Sequence, residues 1–329
     1  MNETMRAVRI HQLGGPEVLR LDEVPLPEPA AGEVLVRHAF IGVNFIDTYH
    51  RSGLYELPSL PHGLGTEGAG TVEAVGPGVD DFAEGDRVAY FAGPPGAYAE
   101  AKVVPAARLL KVPEGVGLDQ AAATLVKGMT VEYLIHRTFA VREGMDVLFH
   151  AAAGGVGLIA CQWLAHLGAR TIGTVSTEAK AQLAKDNGCA EIIRYTEESV
   201  PERIRELTGG DGVPVVYDSV GKSTFAGSLK CLKPRGILVG FGNASGTPEP
   251  FDVMALARGG SLFLTRPSLF HYTESRADLE LSAGRLFEAI ASGVVTPHIG
   301  ATFPLAEARA CHEALESRKT VGSTLLVPE

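Results

Sequence analysis

Basic runs are missing from this chain, and so are long apolar runs and closely spaced cysteines. Each absence removes a class of function. With 29 Lys and Arg against 39 Asp and Glu, the formal net charge is -10, which argues against a general polyanion binder. No basic stretch interleaved with aromatics offsets that balance, so no nucleic-acid partner is expected. No apolar stretch reaches about 18 residues, so no membrane span is expected. The opening residues MNETMRAVRIHQLGG contain no apolar h-region, and no secretory signal is expected. Cys161, Cys189, Cys231 and Cys311 lie far apart and form no CxxC pair, which reads as a reduced, cytoplasmic protein with buried thiols. No internal repeat or low-complexity segment appears. What is present is 329 residues, 45% hydrophobic and 21% charged, enough for one large domain or two of ordinary size.

Texture divides the chain into three blocks. Residues 1–123 are rich in Gly, Pro and β-branched residues, and EVLVRHAFIGVN, GAGTVEAVG, DRVAYF and AEAKVVP read as short strands of an irregular antiparallel structure. From 124 to 264 nearly continuous apolar runs (VLFHAA, RTIGTVS, EIIRY, VPVVYDS, GILVGFG, GSLFLT) alternate with helical segments such as GLIACQWLAHLGA and EAKAQLAKDNG. That alternation predicts an α/β domain, a parallel sheet covered on both faces. From 265 to 329 the alternation stops; two amphipathic helices and a final strand, GSTLLVP, are expected to pack back onto the first block.

The glycine cluster HAAAGGVG, residues 150–157, falls between the first apolar run and the first helix of the middle block. A dinucleotide fold carries G-x-G-x-x-G at this turn. Here the aligned residues are Ala152, Gly154 and Gly157, with Gly155 and Val156 completing the loop. The second glycine lets a pyrophosphate approach the backbone, the third lets helix and strand pack closely, and free amides at the helix N-terminus stabilise the negative charge. An NAD site usually ends the next strand with Asp or Glu, roughly 20 residues on. This chain has Ser176 there and Lys180 one helical turn later, a pair suited to a 2′-phosphate, so NADPH is the expected cofactor. Glu178 is a dissenting charge.

Further motifs carry a resemblance. GLGTEGAGTVEAVGPGV followed by GDRV, together with AAAGGVG, resembles the medium-chain dehydrogenases/reductases. IGVNFIDTYHRSGLY, LVKGMTV, VVYDSVG and LTRPSL narrow it to the zinc-free NADPH:quinone oxidoreductase branch that includes the zeta-crystallins. The resemblance spans essentially the whole chain. It implies a GroES-like catalytic domain with an inserted Rossmann domain, usually as a homodimer. Where zinc alcohol dehydrogenases of that superfamily place a cysteine and a histidine ligand, this chain has Asn44 and Thr66, so no metal is expected. The ten histidines, His150 beside the loop included, have no ligand-like spacing.

By the same resemblance Asn44, Tyr49 and Tyr55 line the acceptor pocket and Arg266 approaches it. Lys127 and Thr130 serve the nicotinamide-side ribose and phosphates, and Tyr195 the adenosine phosphate side. Ser219, Val220, Phe241, Asn243 and Ser245 line the cofactor cleft, and Arg318 returns to the cofactor from the C-terminal tail. Tyr98 and Lys102 form a Tyr-x-x-x-Lys, but upstream of the nucleotide loop and in a strand-like stretch, where i and i+4 are too far apart to couple.

Without a metal or a strong acid a simple carbonyl is poorly polarised, whereas a quinone already has a low-lying acceptor orbital. Reduction then rests mainly on proximity of nicotinamide and acceptor, with donors near the developing oxyanion. The expected partner is therefore a small quinone or, with the same hydride geometry, an α,β-unsaturated ketone or aldehyde. The other class of function is a cofactor-binding protein without a catalytic role, since relatives serve as lens crystallins and RNA binders.

Overall fold

The computed structural model describes residues 3–317 and 320–328. They fall into two compact units, one of Met1–Lys127, Ser275–Ala291 and Pro297–Glu329, the other of Gly128–Glu274 and Ser292–Thr296. The boundaries read near 123 and 264 lie inside the helix Leu118–Glu132 and the strand Phe263–Thr265.

The second unit is built on six parallel strands: Asp146–Phe149, Arg170–Val175, Glu191–Arg194, Val213–Asp218, Leu232–Gly240 and Phe263–Thr265. Their spatial order is third, second, first, fourth, fifth, sixth. That is the order of a dinucleotide-binding sheet, whose strand direction of winding reverses between the first and fourth strands and opens a crevice at their carboxyl ends. The apolar runs become these strands because both sheet faces are covered. Leu148, Ile172, Ile193, Val216 and Leu238 are fully buried in one cluster. The helices Gly155–His166 and Glu178–Asp186 fall where the sequence predicts them, and Val200–Leu207 and Phe225–Cys231 fill the next two intervals between strands.

In the first unit the strand Glu33–Val43 organises the sheet. It pairs antiparallel with Glu67–Val75, with Ala101–Pro105 and with the C-terminal strand Ser323–Val327. Register shifts at Leu35/Val36 and His38/Phe40 mark bulges that bend it. Val34, Val36, Ile41, Val88, Leu109 and Leu326 form its core. Among the described residues, five strands here lie outside the sequence-marked runs: Thr4–Ile10, Leu19–Pro25, His62–Gly63, Leu109–Lys111 and Ile299–Pro304. The helix Leu118–Glu132 was also hidden, because LDQAAATLVKGMTVE is buried on most of its faces and shows no single apolar stripe. Among the described residues no helix is long and apolar enough to cross a membrane.

Candidate active site

The glycine loop leaves the strand Asp146–Phe149 through a turn in which Ala151 takes a left-handed backbone, φ 57°. Gly154 is the N-cap of the helix Gly155–His166 and has no side chain to occupy the first-turn amides. A β carbon on Gly157 would stand 2.3 Å from the Ala151 carbonyl oxygen and 2.6 Å from that of Ala152. Neither neighbour can yield, being backbone, so only glycine allows this helix to start so close to the strand. The cradle that a pyrophosphate needs is therefore built, with unobstructed amides at the positive end of a twelve-residue helix.

Ser176 follows the strand Arg170–Val175 and Tyr195 the neighbouring strand Glu191–Arg194, while Lys180 lies in the first turn of the helix Glu178–Asp186. Tyr195 N–H donates to the Val175 carbonyl at 3.2 Å, and Thr196 Oγ1 to the Ser176 carbonyl at 3.1 Å. Thr177, which the sequence reading passed over, caps the helix Glu178–Asp186 by accepting from Lys180 N–H at 3.3 Å. The dissenting Glu178 lies 3.4 Å from the Arg194 guanidinium, which it shares with Glu197. Arg194 is a cation of this corner that no motif signalled.

The loops that follow the fourth and fifth strands are tied together. Ala244 N–H donates to the Ser219 carbonyl at 3.1 Å, and Ser245 N–H and Oγ both donate to the Val220 carbonyl at 2.8 Å. Phe241 packs its ring 5.8 Å from that of Phe149. Asn243 lies in the same loop. Arg266, exposed just past the sixth strand, donates to the Gly240 carbonyl at 2.9 Å. Thr130 is buried on the helix Leu118–Glu132, which also carries Lys127. Arg318 lies outside the described residues.

In the first unit Asn44 begins the helix Phe45–Ser52, and its backbone N–H donates to Asp47 Oδ2 at 2.8 Å. Its side-chain Nδ2 donates to the fully buried Glu67 at 2.7 Å. Glu67 also accepts from Val126 N–H at 2.6 Å and faces Lys127 Nζ at 3.9 Å, while Lys127 donates to the Val43 carbonyl at 3.2 Å. A β carbon on Gly42 would stand 2.2 Å from the Glu67 carboxylate, so that glycine is what admits it. Burial raises the Glu67 pKa, opposed by Lys127 and the two donors. The Tyr49 and Tyr55 rings meet edge to face at 5.3 Å, with Tyr55 at the surface.

The Tyr98–Lys102 pair is uncoupled, though not because both sit in a strand: the strand begins only at Ala101. Lys102 donates to the Pro94 carbonyl, whereas Tyr98 donates to Asp47 Oδ2 at 2.9 Å. Arg51 can only donate, so His312 Nδ1 accepts from it at 2.8 Å and Nε2 faces Tyr98 Oη at 3.0 Å. Burial pushes His312 down to about 3, which keeps it neutral. Thr66 Oγ1 is buried without a hydrogen-bond partner, and no group of three His, Cys, Asp or Glu among the described residues could hold a metal.

A GroES-like β unit paired with a six-stranded dinucleotide-binding unit defines a medium-chain dehydrogenase/reductase. Residues 30–114 match the alcohol dehydrogenase GroES-like domain, and residues 155–279 match the zinc-binding dehydrogenase family. The chain is 50% identical to a quinone oxidoreductase of Pseudomonas aeruginosa, over 98% of this chain and 99% of the relative. It is 46% identical to a 2-haloacrylate reductase of a Burkholderia species, over 98% and 99%. The crystal structure of Escherichia coli quinone oxidoreductase complexed with NADPH superposes with a TM-score of 0.97 at 48% identity, over 98% of this chain and all of that one. The chain belongs to the quinone oxidoreductase family of that superfamily.

Asp47 gives the site a pH signature. Burial, more than any other cause, raises its pKa from 3.8 to about 7, and its Oδ1 has no hydrogen-bond partner. Between pH 4 and 7 the folded chain holds a proton that the unfolded chain has lost, so stability falls as pH rises. The loss is about 1.4 kcal/mol per unit, roughly 4 kcal/mol in all. Asp47→Asn cannot ionise and escapes it. Urea unfolding across that range should show the variant's advantage over the parent growing to pH 7 and levelling above it; an advantage that shrinks would mean the carboxylate is held ionised.

Proposed function

We propose that this protein is an NADPH-dependent quinone reductase that works without a metal. The observation that carries this reading is the full-length match to quinone oxidoreductases, one of them an NADPH complex of nearly identical backbone. When bound, NADPH supplies a hydride from nicotinamide C4 to the acceptor. The second unit is the NADPH-binding domain. Its loop amides hold the pyrophosphate, Ser176 and Lys180 the 2′-phosphate, with Tyr195 beside them. Ser219, Val220, Phe241, Asn243 and Ser245 line the cofactor, with Lys127 and Thr130 at its nicotinamide end. The first unit is the catalytic domain, in which Asn44, Tyr49 and Tyr55 shape the acceptor pocket and offer donors to the oxyanion. Asn44 and Thr66 at the ligand positions, and the lack of a metal-binding cluster among the described residues, support the absence of zinc. Four buried free thiols fit a reducing cytoplasm.

A second reading is the reduction of electron-poor alkenes, favoured by the 2-haloacrylate reductase relative. NADPH oxidation with 1,4-benzoquinone, an enone and 2-chloroacrylate distinguishes the two. Turnover with the quinone should dominate and survive EDTA. Inactivation by EDTA reversed by zinc would refute the metal-free reading.

Losing a charge-assisted hydrogen bond costs about 1.5–3 kcal/mol, roughly 10- to 150-fold in affinity. Lys180→Ala should raise the NADPH KM on that scale and leave NADH nearly unchanged, and Ser176→Asp should discriminate further against NADPH. Equal effects on both cofactors would put the discrimination elsewhere.

A homodimer is supported by the open edge of the parallel sheet, where Phe263 and Leu264 are 60% and 37% exposed. Light scattering should give a dimer mass that Phe263→Asp lowers. A monomeric parent would end this reading.

A further inference from the structure

The glycine loop and the Ser219–Val220 loop leave adjacent parallel strands, Asp146–Phe149 and Val213–Asp218. A run of buried side chains joins them. Ala151 N–H points to Thr174 Oγ1 at 3.3 Å, and Thr174 Oγ1 lies 3.0 Å from His150 Nδ1. His150 Nε2 lies 3.0 Å from Ser228 Oγ, and Ser228 Oγ donates to Asp218 Oδ2 at 2.9 Å. The other carboxylate oxygen accepts from Val220 N–H at 2.8 Å, Gly221 N–H at 3.0 Å and Thr224 Oγ1 at 2.9 Å. His150, Thr174, Asp218 and Ser228 are all at least 97% buried, so water does not compete for these bonds.

The chemistry of the partners orders the protons. Ser228 has one hydroxyl proton, and its other neighbour, the Thr224 carbonyl at 3.0 Å, is an acceptor like Asp218. Whichever takes that proton, Ser228 must accept from His150, so Nε2 carries a hydrogen. Burial pulls the imidazole toward its neutral form, with the Asp218 charge opposing. Nδ1 then accepts from the Thr174 hydroxyl, which leaves the Thr174 oxygen a lone pair for Ala151 N–H. Ala151 is the residue whose left-handed backbone opens the glycine loop, a conformation that persists only where its surroundings enforce it.

We propose that His150 is a positioning residue for the cofactor, the link that holds the glycine loop and the Ser219–Val220 loop in fixed register as one platform. This rests on the reading of those loops as NADPH-binding. Neither ring nitrogen is free for chemistry; the residue acts through the loops at its two ends. A phenylalanine would keep the volume and cut the link at both nitrogens, while asparagine keeps an acceptor near Nδ1 and glutamine a donor near Nε2.

The test measures NADPH dissociation constants by nicotinamide fluorescence on the full chain, with kcat, KM and melting temperature alongside. His150→Phe should weaken NADPH binding and raise KM roughly tenfold, the loss of two neutral hydrogen bonds, with kcat within about threefold. His150→Asn and His150→Gln should each recover part of it. Thr174→Val and Ser228→Ala should couple in the parent, the double variant losing less affinity than the product of the single losses, and become independent in the His150→Phe background. Should His150→Phe not fold, the Thr174–Ser228 cycle decides alone. Parent-like NADPH binding by His150→Phe, or multiplicative losses in the parent cycle, would overturn the proposal while leaving the cofactor reading intact. A parent that binds no NADPH would overturn both.

Discussion

Between the strand Asp146–Phe149 and the helix Gly155–His166, the carbonyls of Ala151 and Ala152 come within van der Waals contact of the Gly157 backbone, leaving no room for a β carbon. The turn must reverse the chain in few residues and still leave the first amides of the helix unobstructed. Those demands are met by small residues: Ala152 and Ala153 are buried against Cys161, Val175 and Cys189 beneath the loop. A larger residue at 152 would meet Gly173, where even a β carbon would be 2.6 Å from that of Ala152. The first glycine of the usual pattern is thus replaceable by alanine here because the neighbouring strand gives up its own side chain.

The first unit solves a different problem, that of burying carboxylates. Glu67 and Asp47 are both fully buried, and an unpaired buried charge is costly. Glu67 meets the cost with Asn44, the Val126 amide and the Lys127 ammonium. Asp47 has donors from Asn44 and Tyr98 but no cation in direct contact, and it gains a proton near neutrality instead. The two carboxylates are thus held differently, Glu67 facing a cation and Asp47 receiving hydrogen bonds alone.

Much of this was legible in the sequence, and the parts that were not share a cause. The six parallel strands were readable because burial on both faces leaves uninterrupted apolar runs, and the glycine loop because its geometry demands particular residues. Helix Leu118–Glu132 was not, since a helix buried all round has no stripe. Ser176 and Lys180 stood out against the pattern of a competing cofactor. His150, by contrast, has no ligand-like spacing, because its partners Thr174 and Ser228 come from a neighbouring strand and a distant helix. Glu67 sits in a GTEG motif, but Asp47, Arg51 and His312 are separated by more than 260 residues at the extremes and meet only through tertiary packing. Local sequence carries no mark of a charge that will be buried.

The net charge of -10 poses a last question, because the proposed cofactor is itself a polyanion. Long-range attraction is not available to it. At physiological ionic strength, however, exposed charges are screened beyond about 8 Å, so what matters is the field within one or two residues of each phosphate. Around the pyrophosphate cradle that field comes from the helix terminus, which needs no side-chain charge. Near Ser176 the acid Glu178 is 71% exposed and shares Arg194 with Glu197, so solvent screening more than pairing weakens its field. Lys180, in the first turn of that helix, sets a positive charge two residues from Glu178. An acidic protein can hold an acidic cofactor in this way, by oriented amides and screened surface charge, without any basic patch for its sequence to display.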